Sequence, residues 1–220
     1  MASLKVAVVP VTAFQQNCTI LWDSASMRGA VIDPGGDAER IARAIAERGV
    51  RVEQILLTHG HLDHAGGAAE LREILTAGQD ASALPIIGPD ERDAFLLANI
   101  EQQAAIYGLA GLRDVTPDRW LSEGDTVDIG PHRFEVLHCP GHTPGHVVFF
   151  CPAVRLAQVG DVLFQGSVGR TDFPYGDHAT LMRSIREKLL PLGDDVSFIC
   201  GHGPGSTLGA ERRENPFLRG

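Results

Sequence analysis

One heptapeptide, Thr58-His59-Gly60-His61-Leu62-Asp63-His64, constrains this chain more than any other stretch. It follows the apolar run Ile55-Leu56-Leu57 and precedes Ala65-Gly66-Gly67 and a helical segment. Three imidazoles and a carboxylate within six residues, at the end of a buried strand, suit a borderline divalent metal. His59 and His61 can point the same way from an extended turn, with Asp63 and His64 one step further on. One short loop can therefore feed two adjacent metals. The bland reading is a solvated loop in which Asp63 caps a helix. That fits a lone histidine, not three beside an aspartate.

Short β-branched runs punctuated by Gly, Pro and Asp recur around this loop. Strands are expected at 5–9, 19–22, 30–32, 54–57, 85–87, 133–137, 147–150, 156–159 and 196–199. Helices are expected at 37–48, 68–75, 90–107 and 179–190. Asp37 is the expected N-cap of the first helix and Gly49 its stop. The segment from Asp90 to Asp118 has a mixed face and reads either as a helix covering one sheet or as one overhanging the site. Strands and helices alternate without a linker, so residues 1–220 read as one layered α/β domain.

Three further candidates each lie just past a predicted strand. His142 stands in His138-Cys-Pro-Gly-His142-Thr-Pro-Gly-His146, Asp161 in Val159-Gly160-Asp161, and His202 in Cys200-Gly201-His202-Gly203. Open α/β sheets bind ligands at the carboxyl ends of their strands, and the neighbouring glycines permit close backbone approach. Alone, Asp161 is a turn residue and His202 a loop histidine; beside the heptapeptide both become candidate ligands. His146 reads as a support rather than a ligand. Asp33, in Ile32-Asp33-Pro34-Gly35-Gly36, reads as a turn residue, or else as a hydrogen-bond partner of a ligand imidazole.

Composition excludes other classes. With 28 Asp+Glu against 19 Lys+Arg the net charge is −9, which argues against a partner bound through phosphates. No apolar run approaches the ~18 residues of a membrane span. The start of the chain reads as a strand rather than a signal sequence, which points to the cytoplasm. Four scattered cysteines, Cys18, Cys139, Cys151 and Cys200, form no Cys-x-x-Cys pair and read as reduced, buried thiols.

These motifs, in this order, resemble the metallo-β-lactamase superfamily across nearly the whole chain. The resemblance implies an αββα sandwich, two mixed sheets flanked by helices, with the site along one edge. It implies one metal held by His59, His61 and His142, a second by Asp63, His64 and His202, and Asp161 bridging, with Asp63 and Asp161 as the catalytic carboxylates. β-Lactamases of the superfamily typically carry Cys where Asp161 stands, which argues against antibiotic hydrolysis. Gly160-Asp161-Val-Leu-Phe164, Gly169-Arg170-Thr-Asp-Phe173, Cys200-Gly-His-Gly-Pro204 and Glu211-Arg-Arg-Glu-Asn215-Pro-Phe-Leu218 resemble the glyoxalase II (hydroxyacylglutathione hydrolase) branch, in its single-domain form. That single-domain form implies that the C-terminal helical domain, which supplies glutathione contacts in the two-domain enzymes, is not expected here.

The implied function is hydrolysis of a small-molecule thioester, S-lactoylglutathione or a related acyl-thiol. Paired divalent metals, zinc first and then iron or manganese, lower the pKa of bound water toward ~7 and so supply hydroxide as nucleophile. A thiolate leaves readily, so no strong general acid is needed. Arg170 is a candidate partner for a substrate carboxylate, or else a structural tether to Asp172 or Asp177. Phe173 and Tyr175 are candidates for an acyl pocket, or else pack on the core. Persulfide dioxygenases share Gly169-Arg170-Thr171-Asp172-Phe173 and use one iron on residues matching His59, His142 and Asp161, so an iron dioxygenase is the rival enzyme. A lactonase of the same fold and a non-catalytic metal-binding domain are further rivals.

Overall fold

A computed structural model describes residues 3–77 and 80–219. Its first sheet is built from β1 (Leu4–Val11), β2 (Gln16–Asp23), β3 (Arg28–Ile32), β4 (Arg51–Leu56) and β5 (Ile86–Ile87), in that spatial order. β1, β2 and β3 pair antiparallel, and β3, β4 and β5 parallel. The parallel pairing from β3 to β4 requires a crossover, supplied by α1 (Ala38–Arg48). After β4 come α2 (Leu62–Ala65) and α3 (Ala68–Leu75), and after β5 come α4 (Ala94–Leu97) and α5 (Ile100–Ile106).

The second half repeats the plan. β6 (Thr126–Ile129), β7 (His132–His138), β8 (Val147–Cys151) and β9 (Leu156–Gly160) form an antiparallel meander. A two-residue ribbon, β10 (Leu163–Phe164) and β11 (Ser167–Val168), leads to α6 (His178–Ser184). β12 (Ser197–Cys200) then pairs parallel to β9, β13 (Ser206–Thr207) closes the edge, and α7 (Leu208–Glu214) follows.

Strand alternation explains how these pieces stack, because successive side chains face opposite sides. Leu21, Ala30, Ile32 and Leu56 point inward and meet Val127, Phe134, Val136, Val147 and Phe149 of the second sheet. Their immediate neighbours Ile20, Val31 and Ile55 point outward onto Ile41 and Ile45 of α1 and Leu71 of α3. On the far side Val148, Phe150, Val159 and Phe198 pack under Leu181, Met182 and Leu208. The architecture is therefore αββα, with two mixed sheets, as the family resemblance implied.

Several local expectations need correction. Asp37 occupies the N-cap position of α1 but sits in the left-handed region and makes no capping bond; its carboxylate accepts from the Thr12 N–H instead, at 2.9 Å. The helix expected over 90–107 is broken into one tight turn plus α4 and α5. Leu96, Leu97, Ile100 and Ala104 enter the core. Phe95, Gln103 and Tyr107 turn toward the site, so the segment both covers and overhangs. β6 and α7 were not expected. All four cysteines are buried and unpaired, as expected. Among the described residues no helix is long and apolar enough to cross a membrane.

Candidate metal centre

β4 ends at Leu56, and the chain runs on as Leu57-Thr58 into the histidine loop. His142 arrives from the loop between β7 and β8, Asp161 directly after β9, and His202 directly after β12. Carboxyl ends of strands from both sheets thus meet along one edge. Two positions need glycine for this. At Gly160 the backbone turns with φ +49°, and an added Cβ would sit 2.6 Å from His146 Nε2. At Gly201 a Cβ would collide with the Asp161 carboxylate and the His64 ring.

Two triads result. Ligand atoms of His59, His61 and His142 lie within 4.8 Å of one another, as do those of Asp63, His64 and His202. Within the first, His59 Nε2 and His142 Nε2 approach His61 Nδ1 at 3.1 and 3.0 Å. In the second, Asp63 Oδ2 lies 3.2 Å from His202 Nε2 and 3.9 Å from His64 Nε2. Asp161 stands between them: Oδ1 is 3.3 Å from His64 Nε2, while Oδ2 is 3.6 Å from His142 Nε2 and 3.7 Å from His202 Nε2. All seven sequence-predicted side chains are brought together.

The outer nitrogens decide how the inner ones are presented. His59 Nδ1 lies 3.0 Å from the Thr58 hydroxyl, which itself donates to Asp33 at 2.6 Å. His61 Nε2 lies 2.8 Å from the Tyr175 hydroxyl, and His64 Nδ1 lies 2.9 Å from Asp33 Oδ2. His142 Nδ1 meets the Arg170 carbonyl at 2.7 Å, and His202 Nδ1 the Phe14 carbonyl at 3.1 Å. Each outer nitrogen faces an oxygen that can accept its proton, and in a neutral ring this turns the inner nitrogen toward the centre as a lone pair.

This donor set fits a pair of cations. Burial, together with neighbouring histidines, holds His59 and His142 below the usual imidazole value and His61 at about 3, so the first triad is neutral. Three neutral lone pairs at hydrogen-bond distance repel one another unless a cation lies among them. In the second triad burial opposes the charge on His64, but Asp161 and Asp63 outweigh it and raise its pKa. Burial likewise opposes ionisation of Asp161, yet the facing histidines, His64 first, hold it far below the ordinary carboxylate value. Among the described residues His64 Nε2 and Asp161 Oδ1 are buried with no hydrogen-bond partner and face each other at 3.3 Å, an arrangement that a shared cation would satisfy.

Other residues fall into place around the centre. His146 is placed as a support: its Nε2 accepts from the Asp161 N–H at 3.0 Å, and its ring stacks on His59 at 4.6 Å. Asp33 is more than a turn residue, since it accepts from Thr58 N–H at 2.7 Å and also faces the His64 imidazole. Beside the two triads lies a cavity of about 590 Å³ bounded by Phe14, Tyr107, Phe164, Phe173, Tyr175 and Arg170. Phe173 and Tyr175 stack at 5.3 Å, whereas Arg170 forms a two-pronged pair with exposed Asp172 and lies over the Phe173 ring. Gln103 and Tyr107 come from the segment that the sequence left open as covering or overhanging, Phe164 stood only in a family motif, and Phe14, from a distant segment, carried no local signal. Glu211, which stood in the sequence only as part of a family motif, accepts from Gly166 N–H and Asn215 and so steadies the ribbon after Asp161.

Comparison with known proteins agrees with this geometry. The family model described as the metallo-beta-lactamase superfamily matches residues 11–202. The hydroxyacylglutathione hydrolase GloC of Haemophilus influenzae is 47% identical over 216 residues, covering 98% of each chain. Among solved structures, the BLEG-1 B3 metallo-beta-lactamase superposes with a TM-score of 0.87 at 32% identity, covering 98% of this chain and all of its own. TTHA1623 in a di-iron-bound form gives 0.84 at 38% identity, covering 96% of this chain and 100% of that one. From the two converging triads, the sandwich that carries them and these full-length similarities, the chain belongs to the metallo-β-lactamase superfamily.

Proposed function

We propose that the chain is a metal-dependent hydrolase of thioesters, acting as one domain on S-lactoylglutathione or a related acyl-thiol. The carrying observation is that two complete ligand triads, with Asp161 facing both, floor a cavity open to a small molecule. The 47% identity to a hydroxyacylglutathione hydrolase points the same way. His59, His61 and His142 would hold one cation and Asp63, His64 and His202 the other, with zinc first and iron or manganese accepted by the same nitrogen and oxygen donors. Two such cations supply Lewis acidity and a water ionised near neutral pH.

The protein's own side chains do the rest. Asp161 fixes the separation of the triads and, with Asp63, keeps the centre's charge in balance. Phe173 and Tyr175 wall the acyl group and exclude water from one side. Tyr175 stays a neutral phenol, because burial pushes its pKa up to about 12, and its hydroxyl is placed to steady His61 without carrying charge. Arg170 lies at the rim with its guanidinium turned outward, placed to meet a substrate carboxylate after exchanging Asp172. The expelled thiolate needs no protonation to leave, so no strong general acid is required of the cavity. Four buried free thiols fit a reducing cytoplasm.

The test sets two assays side by side on purified, metal-loaded protein. Release of free thiol from S-lactoylglutathione without oxygen uptake supports the reading. Oxygen consumed with glutathione persulfide, and no thioester cleaved, overturns it in favour of an iron dioxygenase.

A further inference from the structure

Asp93 lies outside the ligand set, in the tight turn just before α4, and is fully buried. Its Oδ2 accepts from the Gly60 N–H at 2.9 Å and from the Thr143 hydroxyl at 2.7 Å. Its Oδ1 accepts from the Gly145 N–H at 2.5 Å. Gly60 separates His59 from His61; Thr143 follows His142 and Gly145 precedes His146. One carboxylate therefore ties together the two loops that supply His59, His61 and His142. None of its hydrogen bonds among the described residues reaches Asp63, His64, Asp161 or His202.

The two glycines report how closely Asp93 approaches. A Cβ at Gly60 would come within 3.0 Å of the Asp93 carbonyl oxygen, and one at Gly145 within 2.8 Å of the Asp93 carboxyl carbon. Any side chain at either position would push the loops off the carboxylate. Burying this group is unfavourable, and the three donors from the ligand loops are what offset the cost.

We propose that Asp93 is a positioning residue for one of the two metal sites, that of His59, His61 and His142, and sets the spacing between its two loops. This rests on the reading of the two triads as separate cation sites. Groups that orient metal ligands typically change affinity by about 10–100-fold when removed. In Asp93→Asn the amide nitrogen must face one of the N–H or O–H donors, so at least one tie is lost.

Zinc titrated against a chelating indicator, with wild type, Asp93→Asn and Thr143→Val compared, tests this. Wild type should bind two equivalents. Asp93→Asn should weaken one of them about 10–100-fold and leave the other unchanged, with anomalous diffraction placing the retained zinc at Asp63, His64 and His202. Thr143→Val removes a single donor and should weaken the same equivalent by a smaller factor; it carries the test should Asp93→Asn not fold. Equal weakening of both equivalents, or no weakening in folded protein, overturns the proposal. Wild type binding fewer than two equivalents would instead remove the two-site reading beneath it.

Discussion

Asp33 Oδ2 lies 2.9 Å from His64 Nδ1, deep behind the metal centre, and the same carboxylate binds Thr58 through its N–H and hydroxyl. One residue thus sets the tautomer of His64 and, through Thr58, that of His59. The two rings belong to different triads. Asp33→Asn should therefore weaken both metals, by about 10-fold or more, in contrast to the one-sided effect expected at Asp93. Competition with a chelating indicator reads both constants; an effect on one equivalent alone contradicts the shared role.

Tyr175→Phe keeps the ring stacked on Phe173 and removes only the hydroxyl that faces His61. The first metal should bind about 10-fold more weakly, while KM for the thioester at saturating metal changes little. A large KM increase with unchanged metal affinity would mean that the hydroxyl acts on substrate, not on His61.

Arg170 is highly exposed and already paired with Asp172, so its attraction for a substrate carboxylate is modest. Exposed ion pairs contribute about 0.2–1 kcal/mol. Arg170→Ala should accordingly raise KM for S-lactoylglutathione by about two- to fivefold with kcat retained. Steady-state kinetics on the glutathione thioester and on one lacking carboxylates check this; equal changes in both remove the carboxylate role.

Asp93 also makes a pH prediction. Burial pushes its carboxyl up to about 6, so the folded protein holds that proton more tightly than the unfolded chain. The sign follows from linkage: stability from this group is present in full below pH ~4 and is lost as pH rises through ~6, a change of ~3 kcal/mol. Denaturant unfolding of metal-stripped wild type and Asp93→Asn across that range should show wild type losing ground to the variant as pH rises. A constant difference contradicts it.

Much of the centre was legible because its ligands cluster at strand ends, where an apolar run stops and glycine follows. His59, His61, Asp63 and His64 announce themselves within one loop, and His142, Asp161 and His202 each repeat the pattern. Supports were less legible, because their chemistry is made by distance. Asp93 reaches partners 33 and 52 residues away, and in the sequence it is one acidic residue among several in Asp90-Glu91-Arg92-Asp93. Asp37 shows the converse: its type and place fit a helix cap, but the Thr12 N–H, from another segment, claims its carboxylate. Two-residue strands such as β10 and β13 have no periodicity to read, and they exist because neighbouring segments pair with them.

The two triads that Asp161 faces would hold two cations, and their number can be counted. Elemental analysis of protein purified without added metal, then loaded and freed of excess, should give two equivalents per chain for wild type and about one for Asp63→Ala, with thioester cleavage lost on chelation and restored on reloading. A single equivalent in wild type, or cleavage that survives complete removal of metal, would contradict it.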